Sequence, residues 1–352
     1  MSSLVAQISA KVTRLRVPFS VHLDLTWRCN EDCVHCYLDH GGTPEMDTAE
    51  VKNLLDQLAA SGTFFLSLSG GEILLRPDIL EIVEHARSLL FSLTLKTNGI
   101  LLTAAHARRF ASLGVSQVHI SLYSHRPEVH EGITRVPGSF VRSLDAIRLL
   151  VSHGVKARIT DVLIRQNLDD YPQVQALGAE LGVETKIDAT VGPSFDGDFS
   201  LCSLRIPFDG LQKVFRDPGV VDDIESFCAP PPPPDQQALD GYPCGAGHSA
   251  CYISPSGDVM PCVQFPVVCG NLRHGRFAEI WSASPGFSGI RATRMHDLPV
   301  CRTCVNLSSC TRCPGLALMA GDVLGPSALD CEKAYARTGI PSPLAPAPEC
   351  RR

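Results

Sequence analysis

The sequence predicts an α/β chain in which a partial (β/α)6 TIM-like barrel is followed by a small cysteine-rich domain. Three observations carry this. Between residues 20 and 190 short apolar runs alternate six times with runs of helical period, as a parallel sheet with right-handed crossovers requires. From 191 to 243 the pattern dissolves into Gly, Pro and Asp, and from Cys244 to residue 335 cysteines become dense. Six repeats instead of eight leave the barrel open on one side.

Length and composition set the frame. With 352 residues, 44% hydrophobic and 19% charged, the chain reads as globular with room for two domains. It has no run of eighteen apolar residues and no signal-peptide pattern, so no membrane partner and a cytoplasmic location are expected. A formal charge of −6 argues against nucleic acid as a partner. Fifteen cysteines in a reducing compartment point to metal ligands or catalysis; a disulfide scaffold is the alternative, but such scaffolds are short.

Residues 1–19 read as a solvated leader arm with Lys11, Arg14 and Arg16. Val21 to Leu25 alternates as the first strand and runs into a cysteine loop. Asp47 with Glu50 forms a capping box ahead of Val51, Leu54, Leu55 and Leu58 at helical spacing. The apolar run Thr63 to Ser69 ends in Gly70-Gly71-Glu72, and Pro77-Asp78 opens a helix through Ile79, Leu80 and Val83. The alternation continues with strand Ser92 to Thr97, a turn at Asn98-Gly99, helix 104–113, strand Gln117 to Ser121, helix Phe140 to Val151, strand Lys156 to Ile164, helix 171–181 and strand Glu184 to Asp188. Residues 191–243 form a bridging segment whose proline run, Pro230 to Pro234, suits a polyproline spacer or, less economically, a ligand for a proline-binding domain. Within 244–335 the predicted elements are a strand at Ala250 to Ser254 and a helix at Phe277 to Trp281, and the proline-rich tail 336–352, with Cys350, reads as disordered.

The chemistry concentrates in the cysteines. Cys29, Cys33 and Cys36, with gaps of three and two, cannot share one helical or strand face and belong to a loop wrapped round a bound group. Four thiolates complete a zinc or four-iron site. Three leave one position open, with zinc as the alternative occupant. Gly70-Gly71, at the end of a strand, allow close backbone approach. A second series comprises Cys244, Gly257, Cys262, Cys301, Cys304, Cys310, Cys313 and Cys331.

The loop Cys29-Asn-Glu-Asp-Cys33-Val-His-Cys36, followed one β/α unit later by Gly70-Gly71-Glu72, resembles the radical S-adenosylmethionine (SAM) enzymes. The second series resembles their SPASM extension, although the last gap of its four-cysteine run is two residues where three are usual, and Ile73 stands where proline usually follows the glutamate. The resemblance implies three 4Fe-4S clusters and SAM as cofactors. Cys29, Cys33 and Cys36 would hold the SAM-cleaving cluster. Cys301, Cys304, Cys310 and Cys331 would hold one auxiliary cluster; Cys244, Cys262 and Cys313 the other, with Cys251 or Cys269 as fourth ligand. Gly70, Gly71 and Glu72 would meet the methionine of SAM, His35 its adenine and Ser121 its ribose, with Asn98 and Asn167 as further candidates at strand ends. Cys202, Cys228 and Cys350 fall outside these patterns.

By the same resemblance the chain is an oxidoreductase that cleaves SAM reductively and abstracts hydrogen from a substrate. The expected substrate is a ribosomally made peptide undergoing crosslinking, epimerisation or oxidation, as in enzymes similar to the pyrroloquinoline quinone synthesis enzyme. A small leader-binding chaperone and an external electron donor such as flavodoxin or ferredoxin are the implied partners. A tetrapyrrole or aminoglycoside precursor is the alternative substrate, and a non-enzymatic metal module the third reading. Val263 after Cys262 departs from the acidic base of sulfatase-maturing members.

Overall fold

A computed structural model describes residues 4–41 and 44–344. A helix α1 (Leu4–Leu15) precedes strand β1 (Ser20–Thr26), and then come α2 (Thr48–Ala60), β2 (Phe65–Gly70), α3 (Ile79–Ser88), β3 (Ser92–Thr97), α4 (Ala104–Leu113), β4 (Gln117–Ser121), α5 (Pro127–Thr134), α6 (Ser139–Ser152), β5 (Ala157–Val162), α7 (Tyr171–Glu180) and β6 (Glu184–Asp188). The six strands pair in parallel and in chain order, each with the next.

Local sequence explains these elements. The Asp47 carboxylate accepts from the Glu50 backbone N–H, and Glu50 accepts from that of Asp47, both at 2.8 Å. Val51, Leu54, Leu55 and Leu58 of α2 are then buried on one face. The strands alternate as a half-buried sheet must. Leu23, Leu66, Leu68, Leu93, Leu95, Val118, Ile120 and Ile159 enter the core beneath the helices. The other face of the same strands turns His22, Ser69, Lys96, Ser121, Val162 and Asp188 toward a cavity.

Beyond the barrel lie α8 (Phe208–Phe215), α9 (Ile224–Cys228), α10 (Gln236–Leu239), β7 (Ala250–Ile253), β8 (Asp258–Met260), β9 (Gly270–Asn271), α11 (Phe277–Ala283), α12 (Pro285–Ala292), α13 (Pro314–Met319) and α14 (Ala328–Thr338). Here the structure departs from the sequence reading. β7 pairs in parallel with β1, Ser20 opposite Ala250, and antiparallel β8 and β9 extend the sheet to nine strands in the order β6-β5-β4-β3-β2-β1-β7-β8-β9. The cysteine-rich part thus continues the barrel sheet instead of hanging from a spacer.

Three further corrections follow. The leader is helical, and its end is held by the Trp281 indole, which donates to the Arg16 carbonyl at 2.6 Å. The bridging segment carries α8, whose Leu211 and Val214 pack with Leu163, Tyr171 and Ala336. The tail is ordered through α14 and Ser342, because Asn306 donates to the Ile340 carbonyl at 2.8 Å and to the Ser342 hydroxyl at 2.9 Å. Cys350 lies outside the described residues. No described helix is long and apolar enough to cross a membrane.

Candidate active site

The thiol loop begins where β1 ends. Cys29, Cys33 and Cys36 line one cavity of about 420 Å³ together with Gly70, Gly71, His35, Asn98 and Ser121. The loop is held by backbone bonds to the glycine turn, from Gly71 N–H to the Thr26 carbonyl (2.8 Å) and from Glu72 N–H to the Arg28 carbonyl (2.9 Å). This approach is what demands glycine. A Cβ on Gly70 would lie 2.0 Å from the Thr26 oxygen, and one on Gly71 2.3 Å from the Arg28 oxygen. The turn therefore buttresses the ligand loop as well as facing the cavity.

Glu72 is corrected. Its carboxylate is fully buried and accepts from Leu74 N–H (2.8 Å), Asn98 N–H (2.8 Å) and the Thr97 hydroxyl (2.7 Å), tying the end of β2 to the end of β3. With those donors it does not line the cavity, and burial raises its pKa. Asn98 does line it, its amide donating to Asn30 Oδ1 at 2.7 Å. Asn167 does not. It is buried, donating to the Tyr123 and Val162 carbonyls and to Asp161 Oδ1 while accepting from Ile164 N–H, and serves as a turn cap.

Burial pushes up the pKa of all three loop thiols, Cys29 to about 11. His35 is held neutral, its pKa lowered by burial to about 4; Tyr123 packs edge-on against its ring at 4.7 Å, and its Nδ1 has no partner. Deeper in the barrel Asp24 is fully buried and accepts from the Tyr252 hydroxyl (2.8 Å) and the Trp27 indole (3.3 Å). Lys96 is the only Lys or Arg among the described residues lining the cavity, with Asp24 and Asp188 as its opposing charges. Sequence reasoning missed it because its inward direction follows from strand register, not from residue type.

The second thiol series is brought together in two groups. Cys301, Cys304, Cys310 and Cys331 influence one another electrostatically, and burial pushes Cys310 to about 12 and Cys331 to about 11. Cys244 and Cys313 both feel Cys262. Asp330 joins the groups, accepting from Cys313 N–H at 2.8 Å and facing the thiols of both. Cys251 is buried on β7 in the main core, where Cys269 also packs. The eleven candidate ligand cysteines and Cys269 form no disulfide. Among the described residues no three His, Cys, Asp or Glu side chains converge at single-ion distances. A four-iron cluster, with its thiolates on separate irons, suits a wider spacing than one zinc ion does. Val263 and Gln264, which follow Cys262, and Leu316 and Met319 of α13 line the same cavity as the loop thiols. One chamber therefore meets both thiol regions.

Comparison with known proteins agrees with this geometry. The Radical SAM superfamily profile matches residues 24–177 and an iron-sulfur cluster-binding domain, SPASM, matches residues 244–305. The mycofactocin maturase MftC of Mycobacterium tuberculosis is 30% identical over 325 residues, covering 88% of this chain and 82% of that protein. The chain belongs to the radical SAM superfamily. As a radical SAM enzyme with a SPASM domain it uses SAM and 4Fe-4S clusters. The AdoMet-dependent heme synthase of Methanosarcina barkeri is 28% identical over 302 residues, 80% of this chain and 86% of that one. The PqqA peptide cyclase of Ruegeria pomeroyi is 29% identical over 337 residues, 89% and 86%. In fold, this radical SAM chain is similar to Streptococcus suis SuiB bound to its precursor peptide SuiA, with a TM-score of 0.73, 17% identity and coverage of 92% and 79%.

Proposed function

We propose that this radical SAM enzyme modifies a ribosomally made peptide by crosslinking, epimerising or oxidising it. The observation that carries the reading is the similarity to MftC, which spans 88% of the chain. The PqqA peptide cyclase adds a second peptide-acting relative. The heme synthase relative keeps a tetrapyrrole precursor as the alternative.

In this reading Cys29, Cys33 and Cys36 hold the SAM-cleaving cluster. Cys301, Cys304, Cys310 and Cys331 hold one auxiliary cluster, and Cys244, Cys251, Cys262 and Cys313 the other. When bound, cluster and SAM together supply reductive cleavage to methionine and a 5'-deoxyadenosyl radical that takes a hydrogen atom from substrate. The protein's share is placement. Gly70 and Gly71 present backbone to the methionine end of SAM, His35 and Tyr123 form a neutral wall suited to adenine, and Asn98 and Ser121 offer polar contacts to the remainder. Lys96 suits an anionic group on the substrate. Because burial raises the loop thiols, loading iron releases a proton from each of them. A flavodoxin- or ferredoxin-like donor supplies the electron, a small chaperone presents the peptide leader, and a reducing cytoplasm keeps the thiols free.

Anaerobic reconstitution followed by dithionite and SAM is expected to yield 5'-deoxyadenosine, and the Cys29, Cys33 and Cys36 alanine triple variant none. Peptides encoded beside the gene are then offered in turn with an iron porphyrin precursor. Mass change in a peptide supports the proposal; turnover of the porphyrin with no peptide bound overturns it.

A further inference from the structure

Between Cys310 and Cys313 lies an arginine with an unusual setting. Arg312 is only 3% exposed. Its Nε donates to the Gly325 carbonyl at 3.2 Å, and its Nη2 to the carbonyls of Gly325 (2.7 Å) and Val323 (2.5 Å). The turn before α14 thus clamps one side of the guanidinium. Its Nη1 is buried with no oxygen acceptor, and the side chain faces the Cys301 thiol. A buried charged donor without an acceptor is costly, so such a group is expected to face an anion.

The surroundings identify that anion. Arg312 and Cys244 line the same second cavity, about 370 Å³ and otherwise mostly apolar. Arg312 also lies against Cys301. Cys244 belongs to one auxiliary thiol group and Cys301 to the other. Arg291, likewise buried and with an unpartnered Nη2, acts on Cys251 and Cys269 and so, through Cys251, on one of the two groups only. The clamp gives Arg312 a fixed position between the groups.

We infer that Arg312 is a positioning residue shared by both auxiliary clusters, its free Nη1 donating to cluster or thiolate sulfur and its charge raising both reduction potentials. The inference rests on the two-cluster reading above. A fixed buried cation favours whichever oxidation state carries more negative charge, and in a four-thiolate iron-sulfur cluster that is the reduced one. Asp330, which also faces thiols of both groups, acts in the opposite sense, so the local field depends on the pair.

The test uses the full-length protein with Cys29, Cys33 and Cys36 changed to alanine, so that only auxiliary clusters contribute. It is reconstituted anaerobically and titrated electrochemically with EPR detection. In Arg312→Gln both auxiliary clusters are expected to lose about tenfold in electron affinity, ~59 mV for one electron. Arg312→Lys, which keeps the charge but breaks the carbonyl clamp, is expected to recover more than half of that shift. Fully loaded Arg312→Gln with unchanged potentials, or with only one cluster moved, overturns the inference. If Arg312→Gln loads incompletely, Arg312→Lys carries the test alone: potentials near those of the parent support the shared charge, and a tenfold fall in both overturns it. Zinc in place of iron in the parent overturns the two-cluster reading, and the inference with it.

Discussion

At the scale of single residues, buried charge is the sharpest handle. Asp161 on β5 is fully buried, its Oδ1 accepting from Asn167 at 3.0 Å and its Oδ2 without a partner. Burial, and then the charge of Asp170, raise its pKa well above the carboxylate range. A raised folded-state pKa means that the native state binds the proton more tightly, so stability falls as pH rises above the unfolded value near 4. Asp161→Asn removes that penalty while keeping an acceptor for Asn167. Its melting temperature is expected to exceed that of the unaltered protein at pH 8, with the gap closing toward pH 4; a gap that widens on acidification would refute the assignment. Lys96 offers the corresponding functional test. As the only Lys or Arg among the described residues lining the cavity, it is expected to anchor a substrate anion. Lys96→Met should raise the KM for the modified peptide at least tenfold, about 1.4 kcal/mol of binding, whereas an unchanged KM removes Lys96 from substrate recognition.

At the scale of elements, the glycine turn after β2 is the part most exposed to a single methyl group. Gly71→Ala places a Cβ against the Arg28 carbonyl and forces apart the bonds that hold the thiol loop. A loss of about 3 kcal/mol is expected from such overpacking, with iron lost from the first cluster. Gly154→Ala is the control. Gly154, unlike Gly71, has positive φ (+74°), but nothing lies within 4 Å of its added Cβ, so only the backbone term of about 1 kcal/mol applies. Urea midpoints and iron counts for the two variants settle the comparison. The same turn shows what the sequence made legible. The motif located it, and the strands Ser92–Thr97, Gln117–Ser121 and Glu184–Asp188 stand where alternation placed them. Helix α5 was missed although Pro127 marks its first turn, because His130, Glu131 and Gly132 blur the apolar period. Helix α8 was hidden by the Gly/Pro-rich composition around it, and its apolar stripe of Leu211 and Val214 is short. Glu72 could be found but not interpreted, since two of its three partners, Thr97 and Asn98, come from a neighbouring strand end that only the register brings close.

At the scale of the whole molecule, the join between the two halves decides stability. β1 is a central strand, paired with β2 on one side and β7 on the other, and Cys251, Ile253, Phe277, Trp281 and Phe287 share its core. Cysteine spacing could group the thiols but could not show this, because a four-residue strand some 230 positions downstream of β1 carries no sign of its partner. The consequence separates a continuous sheet from two domains on a linker. Cutting the chain after residue 243 would strip β7 from β1, leaving a row of unpaired N–H and C=O groups beside an uncovered apolar layer, the condition under which edge strands aggregate. A 1–243 fragment is therefore expected to elute as aggregate and to melt without a cooperative transition, even though it contains all six barrel strands and the first three ligand cysteines. Size-exclusion chromatography with thermal circular dichroism checks this. A monomeric fragment with a sharp transition would show that the barrel folds alone and that the β1–β7 pairing is a docking contact, not part of the folding unit.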